Sequence, residues 1–414
     1  MPNMREDELI YDWNRAAGTF DYTTRRHVEL DDETLRDGLQ SPSVLDPSIE
    51  AKIEILHLMD ELGVDTADIG LPGAGPRAVA DVRALALEIA RNALRIGANC
   101  AARTVRADIE PIARVSQEAG IPIEACTFIG SSAIRQYAED WTLDKMLRAT
   151  EDAVTFAVGE GLPVMYVTED TTRARPEVLE QLYTLAIGCG ASRVCLADTV
   201  GHATPEGVRK LVQFVRDDVI KPTGKAVKID WHGHRDRGYG LANTMAAIEA
   251  GADRVHGTAL GIGERVGNTE MDLLLVNLRL LGMRENDLTA LPRYCEAVSK
   301  ATGVPIPNQY PVFGSDAFRT GTGVHAAAII KAQNKGDAWL ADLVYSGVPA
   351  SYFGRRQEIE ISHVSGMSNV KYWLREHGYN AEDEDLCRRV FELAKKTDHT
   401  LTEDEIRGVL GISR

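Results

Sequence analysis

VKIDWHGH, residues 227–234, is a short apolar run that ends in two histidines. Val227–Trp231 has the length and composition of a buried strand. His232 and His234 stand at alternate positions at its end, so their side chains leave the backbone on one face and can hold one ion between them. Taken alone, the pair reads equally as two polar residues closing a strand. The neighbouring sequence decides, because the same unit recurs in both directions along the chain.

Seven further runs resemble it: His27–Leu30, Thr66–Ile69, Leu94–Ala98, Pro122–Phe128, Val164–Val167, Val194–Leu196 and Arg254–His256. They recur about every 30 residues, a spacing that suits strand–helix units. Helical patterns lie between them, as in Ser48–Leu62, Pro76–Arg91 and Pro205–Arg216, with apolar residues returning at three and four positions. After nearly every run comes a polar cluster: Arg36–Asp37, Asp68, Arg103, Ser131–Ser132, Glu169–Asp170, Asp198–Thr199, His232–His234 and Glu264–Asn268. An open doubly wound sheet would spread these clusters along an edge. A closed (β/α)₈ TIM barrel gathers them into one mouth, and that convergence is the better reading of an α/β chain with eight such units.

The expected organisation has four parts. Residues 1–27 are a polar lead-in and 28–300 the barrel. Residues 301–370 form a linker subdomain that contributes to the active site, opened by the Gly- and Pro-rich stretch 301–325, and 371–414 a helical C-terminal subdomain, making a mostly helical appendage. Ala326–Gln333 reads as a short helix and residues 356–362 as an extended piece. Ser368–His377 and Asp383–Thr397 read as helices, and Thr402 with Glu405 has capping-box spacing for a last one. No regulatory domain is expected.

Composition excludes several classes of function. Sixty-two acidic against 46 basic residues give a formal charge of −16, the wrong sign for a nucleic-acid partner. No apolar run reaches the length of a membrane span, and the polar first residues are unlike a secretory signal. A cytoplasmic location is the expectation. Six cysteines without CxxC spacing read as reduced, mostly buried residues.

Chemistry concentrates at a few of the strand ends. Asp37 in DETLRDGLQSP follows the first strand, which adjoins the eighth across a barrel seam, so it is the natural carboxylate partner for His232 and His234. Arg36 beside it offers a fixed charge for an oxyanion or enolate. The bland alternative is an Asp–Arg pair in a surface turn. GIGERVGN follows the last strand; its Gly261, Gly263 and Gly267 miss the dinucleotide spacing by one residue. Glu264 and Asn268 are its chemically useful members. Glu169 and Asp170 point to opposite sides, one toward the site and one free to pair with Arg173. His325 and Tyr345 become acid/base candidates if the appendage reaches a barrel mouth. The remaining histidines, His256 among them, have no partner pattern.

DETLRDGLQ, the HGH pair and GIGERVGN, in this order, resemble the acyl-CoA-condensing enzymes of the isopropylmalate, homocitrate and citramalate synthase family, relatives of hydroxymethylglutaryl-CoA lyase. The resemblance runs from about residue 28 to about 370 and takes in NQYPVFGSDAFRTGTGVHAAAIIK and YFGRRQEIEISHVSG. It implies a divalent metal (zinc, manganese or magnesium) on Asp37, His232, His234 and Asn268, with Arg36 beside an enolate. Gln40, Glu169 and Thr199 fall on positions around the keto acid. Glu264, His325 and Tyr345 fall on the proton-handling group, often completed across a homodimer. The implied reaction condenses acetyl-CoA with a 2-oxo acid and hydrolyses the thioester. A retro-aldol or retro-Claisen lyase on the same metal site is the nearest rival, and a non-catalytic binding barrel the next.

The chain departs from the family pattern at four positions. Leu39 stands where synthases carry glutamate, Arg235 where asparagine follows the second histidine, and Val167 where serine is common. Arg135, in SSAIRQY, replaces a histidine. If Arg135 faces the substrate, it hints at a second acidic group there. If it lies outside the pocket, Glu139 or Asp140 is its partner.

Overall fold

In the computed structural model, which describes residues 6–25 and 27–411, eight parallel strands close in sequence order into one barrel. They are β1 (Glu29–Asp32), β2 (Thr66–Asp68), β3 (Gly97–Arg103), β4 (Ile123–Gly130), β5 (Val164–Glu169), β6 (Arg193–Asp198), β7 (Lys228–Gly233) and β8 (Arg254–Gly257). Closure is made by β1, which pairs with β2 on one side and with β8 on the other, Asp32 opposite Gly257. The α/β barrel expected from the strand-end clusters is the fold observed. No helix among the described residues is long and apolar enough to cross a membrane.

Leu30, Ile69 and Val194 are buried, as are Ile55, Leu56, Met59, Val82, Leu85, Ile109 and Ile112 of the helices. This apolar shell between sheet and helices supplies the main driving force for folding. The barrel interior is different, because its layers carry charge. Arg254 is almost wholly buried and donates to Asp230 Oδ2 at 2.6 Å, and Arg193 donates to Asp230 Oδ1 at 2.6 Å and to Glu29 at 2.6 Å. Asn99 donates to Asp31 at 2.6 Å. Buried charges are tolerated when they are paired and hydrogen-bonded in this way.

Element ends shift by a few residues throughout, and two of the shifts have a local cause or a change of helix type. The third strand begins at Gly97 rather than Leu94 and runs on to Arg103. Leu94 still donates to Ile89 at the end of the preceding helix, and the Asp60 carboxylate takes the amides of Arg95 and Ile96, so the ladder starts only after them. The helix opening at Pro205 passes at Val215 into a π-helical stretch, Val215–Ile220, beyond the expected end at Arg216.

The chain divides into two compact units: Phe20–Pro305, which holds the barrel, and Met1–Thr19 with Ile306–Arg414. In the second, Arg319–Thr320 pairs in parallel with Glu358–Ile359, and helices span Gly323–Gln333, Ala338–Leu343, Met367–Glu376, Glu384–Ala394 and Glu403–Leu410. Val370, Leu374, Leu386, Val390, Leu401 and Ile406 form its core. Thr402 and Glu405 make the reciprocal capping box that their spacing predicts. The short helix expected at Ala326–Gln333 begins earlier, at Gly323, and takes His325 into its first turn.

Candidate active site

The loop after β1 is stitched down by its own polar residues. Asp32 accepts from the Thr34 amide at 2.9 Å and from the Tyr294 hydroxyl, while Thr34 Oγ1 accepts from the Ala259 amide at 2.8 Å. The turn that follows, Gly38–Gln40, holds Arg36 and Asp37 over the carboxyl ends of the strands. Opposite them, the backbone beyond β7 pairs with the end of the GIGERVGN loop: Arg235 donates to Gly267 at 3.1 Å, and His234 bridges Asn268. That loop needs its glycines. A Cβ on Gly267, at φ 98°, would lie 1.8 Å from the Gly261 carbonyl oxygen, and one on Gly263, at φ 156°, would lie 2.3 Å from Asn268 Nδ2.

These segments surround a cavity of about 300 Å³ at the carboxyl ends of the strands. Asp37 Oδ2 lies 3.7 Å from His232 Nε2 and 3.5 Å from His234 Nε2. Burial and then the nearby His232 push His234 down to about 4, so its imidazole is neutral at pH 7. Asp37, His232 and His234 offer ligand atoms that all fall within 4.8 Å of one another. Asn268 Nδ2 donates to Asp37 Oδ2 at 2.7 Å, whereas its own Oδ1 and His234 Nδ1 are buried without a hydrogen-bond partner. Orphaned polar atoms of this kind are costly in a purely structural cluster. A carboxylate, two imidazoles and a spare amide oxygen are the donors of a mixed N/O site for a divalent ion.

Arg36 is the hub of the carboxylates around this point. It donates through Nε to Asp68 at 2.7 Å and through Nη2 to Glu33, and its Nη1 lies 3.3 Å from Asp37. Burial opposes the guanidinium charge, but Glu33, Asp68 and Asp37 together outweigh it and hold the proton firmly. Asp68 is buried beside Glu33 and Asp31, and against the pull of Arg36 its carboxyl is raised to about 7.

Of the residues singled out in the sequence, Arg36, Asp37, Gln40, Glu169, Thr199, His232, His234 and Glu264 line the cavity, and Asn268 stands behind Asp37. Arg135 does not line it. Its guanidinium reaches Glu139 at 3.0 Å and lies 5.8 Å from the Trp141 ring centroid, with Glu169 at 4.0 Å. Leu39 is likewise absent from the lining, whereas Val167 is part of it. Arg235 pairs with Glu270 and donates to the Val266 carbonyl, so it pins the loop after β8. His325 and Tyr345 lie in the other unit, stacked with ring centroids 4.2 Å apart. Glu33, Asp68 and His256 line the cavity without having been singled out as site residues.

The description HMGL-like is that of the family profile matching residues 27–298, which covers the whole barrel and the loops that build the cavity. The chain belongs to the HMGL-like family. Among curated relatives of this HMGL-like chain, homocitrate synthase AksA of Methanopyrus kandleri is 32% identical over 404 residues, 93% of this chain and 94% of the relative. A probable 2-isopropylmalate synthase of the same organism is also 32% identical, over 377 residues, 89% of this chain and 70% of the relative. Among solved structures, the HMG-CoA lyase of Bacillus subtilis shares the fold with a TM-score of 0.57 at 21% identity. That match covers 69% of this chain and 96% of the lyase.

Proposed function

We propose that this HMGL-like protein condenses acetyl-CoA with a 2-oxo acid and hydrolyses the thioester, giving a 2-hydroxy dicarboxylic acid of the alkylmalate type and free CoA. The observation that carries the reading is the convergence of Asp37 Oδ2 with the Nε2 atoms of His232 and His234 beside a part-buried Arg36. The synthase names of relatives that align over nine-tenths of the chain support it.

Asp37, His232 and His234 would hold zinc, manganese or magnesium, with Asn268 Oδ1 as the further donor. Such an ion supplies Lewis acidity toward the oxygens of a bound keto acid. Arg36 offsets the negative charge that develops as the acetyl methyl becomes an enolate. Asp68, with a carboxyl raised to about 7, is placed to exchange a proton near Arg36. The stacked pair His325–Tyr345 takes the acetyl proton in this reading, and Glu264, with a half-exposed side chain on the cavity rim, belongs to the same proton-handling network. His325 and Tyr345 come from the appendage of the same chain or of a homodimer partner.

Gln40, Glu169 and Thr199 bound the keto-acid side of the cavity, and Thr199 is fixed by the Asp170 amide, which donates to its Oγ1 at 2.8 Å. The deeper lining is apolar: Ala101, Cys126, Phe128, Met165, Val167 and Cys195. With Arg135 engaged by Glu139 and the Glu169 carboxyl facing inward, the cavity favours a 2-oxo acid with an apolar side chain over one with a second carboxylate. The test is a panel of monocarboxylic and dicarboxylic 2-oxo acids with acetyl-CoA and each metal, followed by thiol release. Free CoA with an apolar member is expected. No release with any acid, together with cleavage of a hydroxyacyl-CoA, would replace the synthase reading with the lyase.

A further inference from the structure

Glu33 sits at the end of β1, three residues before Arg36, and none of the chemistry above uses it. It is 3% exposed and touches three polar side chains. Oε1 lies 3.1 Å from His232 Nδ1 and 2.6 Å from His256 Nδ1, and Oε2 accepts from Arg36. The other nitrogen of His256 lies 2.9 Å from Asp230 Oδ2. A line of contacts therefore runs Asp230–His256–Glu33–His232, from the middle of the barrel to the cavity.

Hydrogen-bond chemistry fixes the roles along this line. Asp230 also accepts from Arg193 and Arg254, and Glu33 from Arg36, so both carboxylates are acceptors only. His256, with one carboxylate on each ring nitrogen, must donate from both and keeps no lone pair for a metal. Glu33, His232 and His256 also bring ligand atoms within 4.8 Å of one another, yet this second cluster is a hydrogen-bonded support. His232 differs from His256, because only its Nδ1 faces Glu33. Donation there leaves the lone pair on Nε2, the nitrogen that faces Asp37 at 3.7 Å. Ligating histidines are commonly oriented by a carboxylate in this manner.

We propose that Glu33, braced by His256 and Arg36, is a positioning residue that fixes the tautomer and ring orientation of His232 and so sets the affinity of the Asp37–His232–His234 site for a divalent ion. The inference rests on the metal site proposed above, but its test does not depend on turnover. The chelator-stripped full-length protein is titrated with Zn²⁺ or Mn²⁺ against a chromophoric competitor, and histidine tautomers are read by ¹⁵N NMR. Glu33→Ala is expected to weaken metal binding by about 10–100-fold and to release His232 from the Nδ1–H tautomer. Glu33→Gln, which keeps an acceptor oxygen, is expected to fall between it and the parent, and serves as the variant if Glu33→Ala does not fold. His234→Asn is expected to remove most of the binding.

Unchanged affinity or an unchanged His232 tautomer in both Glu33 variants would overturn the proposal. So would metal retained in His234→Asn but lost in Glu33→Ala, since the ion would then sit on the Glu33–His232–His256 cluster. Absence of metal binding in the parent protein would instead sink the proposed active site itself.

Discussion

Asn268 turns its amide N–H, at 2.7 Å, onto the same Asp37 oxygen that faces both site histidines, and leaves its own carbonyl oxygen without a partner. Asn268→Asp would press a second carboxylate against Asp37 in a buried place. Like charges so close are unfavourable until one is neutralised or a cation joins them. The variant is expected to lose about 1–3 kcal/mol of stability without metal. The gap to the parent should narrow when Mn²⁺ or Zn²⁺ is added, because an ion bound only by the folded state stabilises it. Thermal melts of both proteins with and without the ion check this, and a gap that stays constant would show that no ion joins the two carboxylates.

Asp37→Ala and His232→Ala should each lose the bound metal while keeping the parent's circular dichroism, since both residues project into a cavity rather than into packed core. Metal content by mass spectrometry after gel filtration is the measurement. Both variants retaining the parent's metal would place the ion elsewhere.

Gly267→Ala meets two obstacles at once, a φ of 98° and a Cβ 1.8 Å from the Gly261 carbonyl oxygen. A loss of roughly 2–4 kcal/mol is expected, at the high end for a single substitution. Asn268 follows directly in the chain, so metal affinity should fall with stability. Urea denaturation together with a metal titration would read both effects.

His256 links stability to pH. Burial opposes its charge, but Asp31, Asp230 and Glu33 raise it to about 10, above the unfolded value near 6.5. Its contribution is therefore fully present below about pH 6.5 and is lost as the pH rises toward 10. The parent should lose more unfolding free energy than His256→Gln between pH 6.5 and 10, measured in urea at each pH. Parallel curves for the two proteins would contradict the assignment.

Arg254→Met removes the main buried partner of Asp230 and leaves that carboxylate inside the barrel with less compensation. Breaking a buried pair from one side costs about 3–5 kcal/mol. A double variant, Arg254→Met with Asp230→Leu, should recover part of that loss. A double variant less stable than Arg254→Met alone would show that the network is not governed by charge burial.

The barrel was legible because its strand-end clusters are local in sequence and repeat. The Asp37–His232–His234 cluster was legible for the same reason, with HGH and RDG each carrying its pattern in a few adjacent positions. Glu33 and His256 were not, because they lie 223 residues apart and meet only when β1 closes against β8. Taken alone, Glu33 is one polar residue beside a strand and His256 one within a strand. The third strand was misplaced because NCAAR has no β-branched residue, so ladder contacts rather than intrinsic preference extend it to Arg103. Arg135 could be read two ways because a guanidinium at a strand end is equally suited to a substrate or to a glutamate one helical turn on, and the structure gives it Glu139.

The seam between the first and eighth strands also orders events during synthesis. Asp37 leaves the ribosome early, but the eighth strand and then the loop carrying Asn268 emerge more than 200 residues later, and until the eighth strand arrives the first has no neighbour on one side. A nascent chain halted before that strand therefore presents an unpaired strand edge and an incomplete set of donors. Such an intermediate is a substrate for chaperones and a risk for aggregation. On the proposed metal site, an ion would stabilise only barrels that have already closed.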